Sequence, residues 1–182
     1  MTALVFVDTN VLVYAQDGSE PVKRARAREW IDMLWHEQRG RTSIQVLSEY
    51  FSVVTRKVRL KVSPESAWED VKMFMNWMPQ ELDAELLVRA YRIGERYRLS
   101  WWDCLVVAAA HAQACTLLLT EDLQDGAKYD GVIVRNPFTF GVAEEHAAYK
   151  PAPALAPRHR SRGRPRLKRP RAAHTFTRTG DS

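Results

Sequence analysis

The chain has 182 residues, of which 46% are hydrophobic and six are tryptophan, enough apolar material for a packed core and too much for a wholly disordered polymer. Its formal charge of +5 is uneven, because residues 151–182 hold nine Lys and Arg against one acid, leaving 18 basic and 21 acidic residues, a net of −3, in 1–150. The sequence pI of about 9.4 therefore describes the tail and not the folded body. Two cysteines, Cys104 and Cys115, exclude a disulfide framework and read as small core residues of a reduced compartment.

In chain order, Ala3 to Val7 is an apolar run ending at Asp8, which predicts a buried strand over 3–8 and a short helix from Asn10. Ser19-Glu20-Pro21 opens a helix to about Gln38, with Ala25, Trp30, Met33 and Leu34 at helical spacing, and Gly40 breaks it. Arg41 to Ile44 reads as a short strand. Val46, Leu47, Tyr50, Phe51, Val54 and Val58 make the stripe of a third helix. Ser63-Pro64, an N-cap followed by a first-turn proline, opens a helix through Met75. Asp83 begins another, with Leu86, Leu87, Ala90, Tyr91 and Ile93 expected inward, and Ser100 caps an Ala-rich helix over 101–114. Thr116 to Thr120 and Val132 to Val134 read as two more buried strands.

Strands alternating with helices predict an α/β fold: a single domain over 1–149 with a mostly parallel central sheet flanked by helices. Residues 150–182, rich in Pro, Ala and Arg and without apolar periodicity, are expected to be a disordered basic tail. The first strand has no basic leader, and the apolar stretch from Cys104 to Leu119 is broken by His111 and Gln113. No signal peptide, membrane span or membrane partner is expected, and the cytoplasm is the expected location.

Four acids fall at comparable joints: Asp8 after the first strand, Glu49 in Ser48-Glu49-Tyr50, Asp103 in Ser100-Trp101-Trp102-Asp103, and Asp122 after Leu117-Leu118-Leu119-Thr120. Each has a plain structural alternative. Asp8 could cap a helix, Glu49 could be solvated, Asp103 could form a capping box with Ser100, and Asp122 could serve a turn shared with Asp125 and Gly126. Trp101 and Trp102 are expected to crowd Asp103 into a partly desolvated environment. The set outweighs its members, because a parallel sheet would deliver all four to one edge. Gathered carboxylates repel one another, and a hard divalent cation removes that cost. Asn10 and Thr120 are candidate supporting groups. His36 and His111 lie on helices, His146, His159 and His174 in or near the tail, and no Ser/His/Asp arrangement, Walker loop or GxGxxG is present.

The segments Leu4-Val-Phe-Val-Asp8-Thr-Asn10, Leu47-Ser-Glu49-Tyr-Phe, Leu99-Ser-Trp-Trp-Asp103 and Leu119-Thr-Glu-Asp122-Leu-Gln-Asp-Gly126 together resemble the PIN-domain nucleases, and most of all the VapC toxins of type II toxin–antitoxin systems. The likeness covers about residues 3–138. It implies a Mg²⁺-dependent ribonuclease (Mn²⁺ substituting) with Asp8 and Asp103 as the principal metal ligands and Glu49 and Asp122 completing the acidic cluster. It further implies hydrolysis leaving a 5′-phosphate and a 3′-hydroxyl, a homodimer, and a VapB-type antitoxin partner. Nothing carries over to the tail. Two alternatives stand beside this one. A haloacid-dehalogenase-type phosphatase would want a second Asp where Asn10 stands, and a PIN-like module that binds RNA or protein without cutting would not need all four acids.

Overall fold

The computed structural model describes residues 3–57, 60 and 62–148, with side chains described as far as Glu145. Val58, and the tail expected over 150–182, lie outside these residues. The elements in order are β1 (Val5–Val7), α1 (Thr9–Tyr14), α2 (Pro21–His36), β2 (Gly40–Arg41), α3 (Ile44–Arg56), α4 (Pro64–Phe74), a 3₁₀ turn (Met75–Trp77), α5 (Ala84–Tyr97), α6 (Trp101–Ala112), β3 (Leu117–Leu119), β4 (Lys128–Tyr129), β5 (Val132–Arg135) and α7 (Val142–Ala148).

The strands form one sheet in the order β2-β1-β3-β5-β4. β1 runs parallel to both β2 and β3, β3 runs parallel to β5, and only the edge strand β4 is antiparallel. All three residues of β1 are fully buried, as a strand covered by helices on both faces requires. Chain order reverses direction at β1, because β2 joins one side and β3 the other. The crevice beyond the C-terminal ends of β1 and β3 is therefore the place where an open α/β sheet presents a ligand. Val7 pairs with Leu119, so Asp8 and Thr120, the next residues along, leave the sheet side by side. The backbone bond from Asp8 N to Leu119 O, 3.1 Å, closes that join.

Local rules explain most helix starts. Ser43, Ser63, Asp83 and Ser100 each accept from the amide three residues on, at Val46, Ser66, Leu86 and Asp103. The expected strand over Arg41–Ile44 is shorter and earlier, because Ser43 is committed to capping and Ile44 already belongs to α3. Leu87 and Tyr91, expected inward, are 40% and 61% exposed. The buried stripe of α5 is the narrow row Leu86, Ala90 and Ile93, and a Cβ on Gly94 would lie 3.3 Å from Cys104 Sγ. The two helices approach through small side chains, which leaves the flanking large ones outside the seam.

The helix α7 has no apolar stripe; Val142 alone of its described residues joins the hydrophobic core, and a buried charge pair anchors it. Arg39, buried, donates to Glu145 Oε1 at 2.5 Å, to Glu37 Oε2 at 2.6 Å and to the Ala3 carbonyl at 2.6 Å. One guanidinium thus ties the segment leading into β1, the loop before β2 and the last helix together. Among the described residues, no helix is long and apolar enough to cross a membrane.

Candidate active site

Asp8 caps α1 through a bond from Thr9 N to Oδ1 at 2.6 Å, so the capping role and a place in the site coexist. Its other oxygen, Oδ2, accepts from Thr120 Oγ1 at 2.7 Å and from Asn10 Nδ2 at 3.2 Å. Asn10 Nδ2 also donates to Thr120 Oγ1 at 2.8 Å and to Asp122 Oδ2 at 3.0 Å. The Asp122 amide donates to Thr120 Oγ1 at 3.1 Å. Asn10 and Thr120 are thereby wedged between two carboxylates and fix their separation.

Glu49 enters from α3, where it accepts from Thr9 Oγ1 at 3.2 Å. Asp103 stands in the first turn of α6. The Ser100 hydroxyl donates to Asp103 Oδ2 at 2.7 Å and accepts from its amide at 3.3 Å, so the Ser100–Asp103 pairing foreseen as a capping box forms, with the carboxylate meeting the hydroxyl. Asp103 is half-buried, in keeping with the partly desolvated environment expected for it. Trp101 and Trp102 are themselves 44% and 64% exposed, Trp102 on the acidic cleft and Trp101 beside Tyr91 and Gly94 of α5.

All four acids line one cleft of about 760 Å³, with Asn10, Ile44, Gln45, Val53, Lys57 and Trp102 among the other walls. Burial pushes the Asp8 carboxyl up to about 6, against the pull of hydrogen bonds from Thr120 and Thr9, and the charges of Asp122 and Glu49 push the same way. No Lys or Arg among the described residues forms an ion pair with Asp8, Glu49, Asp103 or Asp122. Asn10 Oδ1 is buried without a hydrogen-bond partner. A desolvated carboxylate, nearby like charges and an orphaned carbonyl oxygen form a donor set suited to a hard cation. Among the described residues no three His, Cys, Asp or Glu groups converge tightly enough to hold an ion alone. The set therefore suits a cation that keeps waters or takes oxygens from a substrate, as Mg²⁺ usually does.

Sequence reasoning missed three charged residues of the cleft. Asp17 is 1% exposed and accepts from the Ser19 amide at 3.0 Å and hydroxyl at 2.6 Å, forming a turn at the cleft wall. Glu121 accepts from Lys23 at 2.5 Å, and the Lys23 ammonium also lies 4.3 Å from the Tyr14 ring centre. Lys57 reaches the cleft from the end of α3. Asp125 is outside it, accepting from the Asn136 amide at 2.9 Å and serving the turn that leads back to the sheet.

No curated protein matches the sequence. Among solved structures, the fold is similar to a chain of a toxin–antitoxin complex from Klebsiella pneumoniae, at 17% identity and a TM-score of 0.55, covering 73% of this chain and 97% of that one. It is also similar to Mycobacterium tuberculosis VapC20, a toxin that cleaves the sarcin–ricin loop, at 17% identity and a TM-score of 0.50, covering 70% and 98%. At that identity the likeness is one of fold. The PIN domain family itself matches residues 5–128, a span that contains Asp8, Glu49, Asp103 and Asp122. The chain belongs to the PIN domain family.

Proposed function

We propose that the protein is a divalent-cation-dependent ribonuclease, using Mg²⁺, that acts as the toxin of a type II toxin–antitoxin system. The observation that carries this reading is the hydrogen-bonded set Asp8, Asn10, Thr120 and Asp122, sharing one cleft with Glu49 and Asp103 at the sheet's switch point. Similarity of fold to a chain of a toxin–antitoxin complex and to an RNA-cleaving toxin supports it. In this reading Asp8 and Asp103 hold the cation, which when bound supplies Lewis acidity at the scissile phosphate and lowers the pKa of a water. Thr120 and Asn10 hold Asp8 in place, while Asp122 and Glu49 orient the attacking water and accept its proton. Water adds at phosphorus, the bond to the 3′ oxygen breaks, and that oxygen takes up the proton the carboxylate accepted from water, leaving as a hydroxyl. A VapB-type antitoxin and a second copy of the chain are the expected partners, and residues 1–149 the expected nuclease domain.

The test is cleavage of single-stranded RNA by the pure full-length protein. Cutting is expected with millimolar Mg²⁺ or Mn²⁺, to be abolished by EDTA and restored by added metal. Binding without cutting under every metal condition would replace the nuclease by a binding module.

A further inference from the structure

Four of the six tryptophans, Trp30, Trp35, Trp68 and Trp77, pack against other rings. Trp101 and Trp102 have no ring partner among the described residues, and of these two only Trp102 lines the acidic cleft. It is 64% exposed and is the immediate chain neighbour of Asp103. An indole left in water beside four carboxylates contributes nothing to the core and forgoes the stabilisation that burial would give.

In the same cleft, Gln45, Glu49 and Val53 form an i, i+4 row along α3 that its C-cap Lys57 continues, and all four line the cavity. The eight residues from Glu49 to Lys57, the C-cap of α3, carry that row about 12 Å from Glu49, at about 1.5 Å per residue. Lys57 is exposed and forms no ion pair with the described carboxylates, whereas Lys23, at the rim, is tied to Glu121. The cleft is therefore longer than one phosphodiester. It has an aromatic face at the acids and a cation farther along.

Resting on the ribonuclease reading above, we infer that Trp102 is the stacking platform for an unpaired base beside the scissile phosphate, and that Lys57 holds a phosphate farther along the same strand. Residues 1–150 carry a net −3, so general attraction by the body cannot seat a polyanion in this cleft. Stacking on an aromatic face can, since every base offers a π-face whatever the sequence. Duplex RNA keeps its bases stacked on each other and offers none to Trp102. The platform therefore selects single strands, and the choice is made next to the reacting phosphate.

The experiment uses the full-length chain and an unstructured RNA 12-mer pool of random sequence, with a duplex of the same length as competitor. Cleavage by the wild type is measured first. Affinities are then measured with Mg²⁺ in the Asp103→Asn background, in which turnover is expected to be at least about 100-fold slower. Trp102→Ala is expected to weaken single-strand binding roughly 5- to 150-fold and to remove most of the preference over duplex, with the salt slope unchanged. Trp102→Phe keeps a ring and should retain most of both. Lys57→Met should lower the slope of log affinity against log salt by about 0.7 and leave the single-strand preference intact. Wild-type cleavage combined with undiminished affinity and selectivity in Trp102→Ala would overturn the inference alone, and would leave the Ile44 and Trp102 wall to a protein partner. An unchanged slope in Lys57→Met would overturn the phosphate contact. A wild type that neither cuts nor binds the pool would overturn the ribonuclease reading and this inference together.

Discussion

The Thr120 hydroxyl donates to Asp8 Oδ2 at 2.7 Å across 112 residues of sequence, while accepting from Asn10 Nδ2 and from the Asp122 amide. One hydroxyl thus fixes the carboxylate at the end of β1 and the start of the loop after β3, the two strands that flank the switch point. Its position follows from the pairing of Val7 with Leu119.

Thr120→Val keeps the shape of the side chain and removes that oxygen, leaving Asp8 and the Asp122 amide each short of a partner. RNA cleavage should fall at least about tenfold, with a stability loss of about 1–3 kcal/mol. Thr120→Ser should keep most activity. Steady-state cleavage and urea denaturation of the three proteins check this, and wild-type turnover by Thr120→Val would show that the carboxylate needs no such support.

The raised pKa of Asp8 has a consequence for the metal-free protein. The folded value of about 6 lies above the ordinary aspartate value of 3.8. The fold therefore favours the protonated form. Its stabilising contribution is complete below pH 3.8 and is lost as pH rises through 6, a difference of about 3 kcal/mol. In EDTA, Asp8→Asn, which keeps a good N-cap residue, should melt above the wild type at pH 7 and level with it near pH 4. Melting curves offset by the same amount at every pH would assign the shift to packing instead.

Arg39 and Glu145 form the buried pair that anchors α7, with side chains 4% and 6% exposed. Glu145→Ala leaves a buried guanidinium with part of its charge uncompensated and should cost about 3–5 kcal/mol, less whatever Glu37 recovers. A chain ending at Tyr149 should fold and cut RNA, whereas one ending at Phe140 should be strongly destabilised. Chemical denaturation separates the cases, and a Glu145→Ala protein as stable as the wild type would mean that α7 is dispensable.

Features set by neighbours in sequence were legible: the buried strand ending at Asp8, the caps at Ser63, Asp83 and Ser100, and the alternation that gives a parallel sheet. Features set by distant packing were not. Gly40 looked like a helix breaker, yet α2 stops at His36 and Gln38 takes the left-handed conformation at φ 56°. Gly40 itself lies in β2, where a Cβ would come within 2.4 Å of the Trp77 ring. No local pattern announces that contact. In the cleft Asp8, Asp103 and Asp122 could be listed from strand and helix ends and Glu49 from within a helix, but Asp17 and Lys57 join them only through the way α1 and α3 pack. α7 escaped notice because Arg39, 106 residues away, secures it rather than an apolar stripe.

The most direct test of the account is the rate of RNA cleavage by four variants, Asp8→Asn, Glu49→Gln, Asp103→Asn and Asp122→Asn, each shown by circular dichroism to be folded. With saturating Mg²⁺, Asp8→Asn and Asp103→Asn are expected to lose at least about 100-fold, and Glu49→Gln and Asp122→Asn at least about tenfold, on the scale of lost general acid–base or electrostatic assistance. A folded Asp8→Asn or Asp103→Asn protein that cuts at the wild-type rate would contradict the account, because the chemistry would then lie outside the acidic cleft.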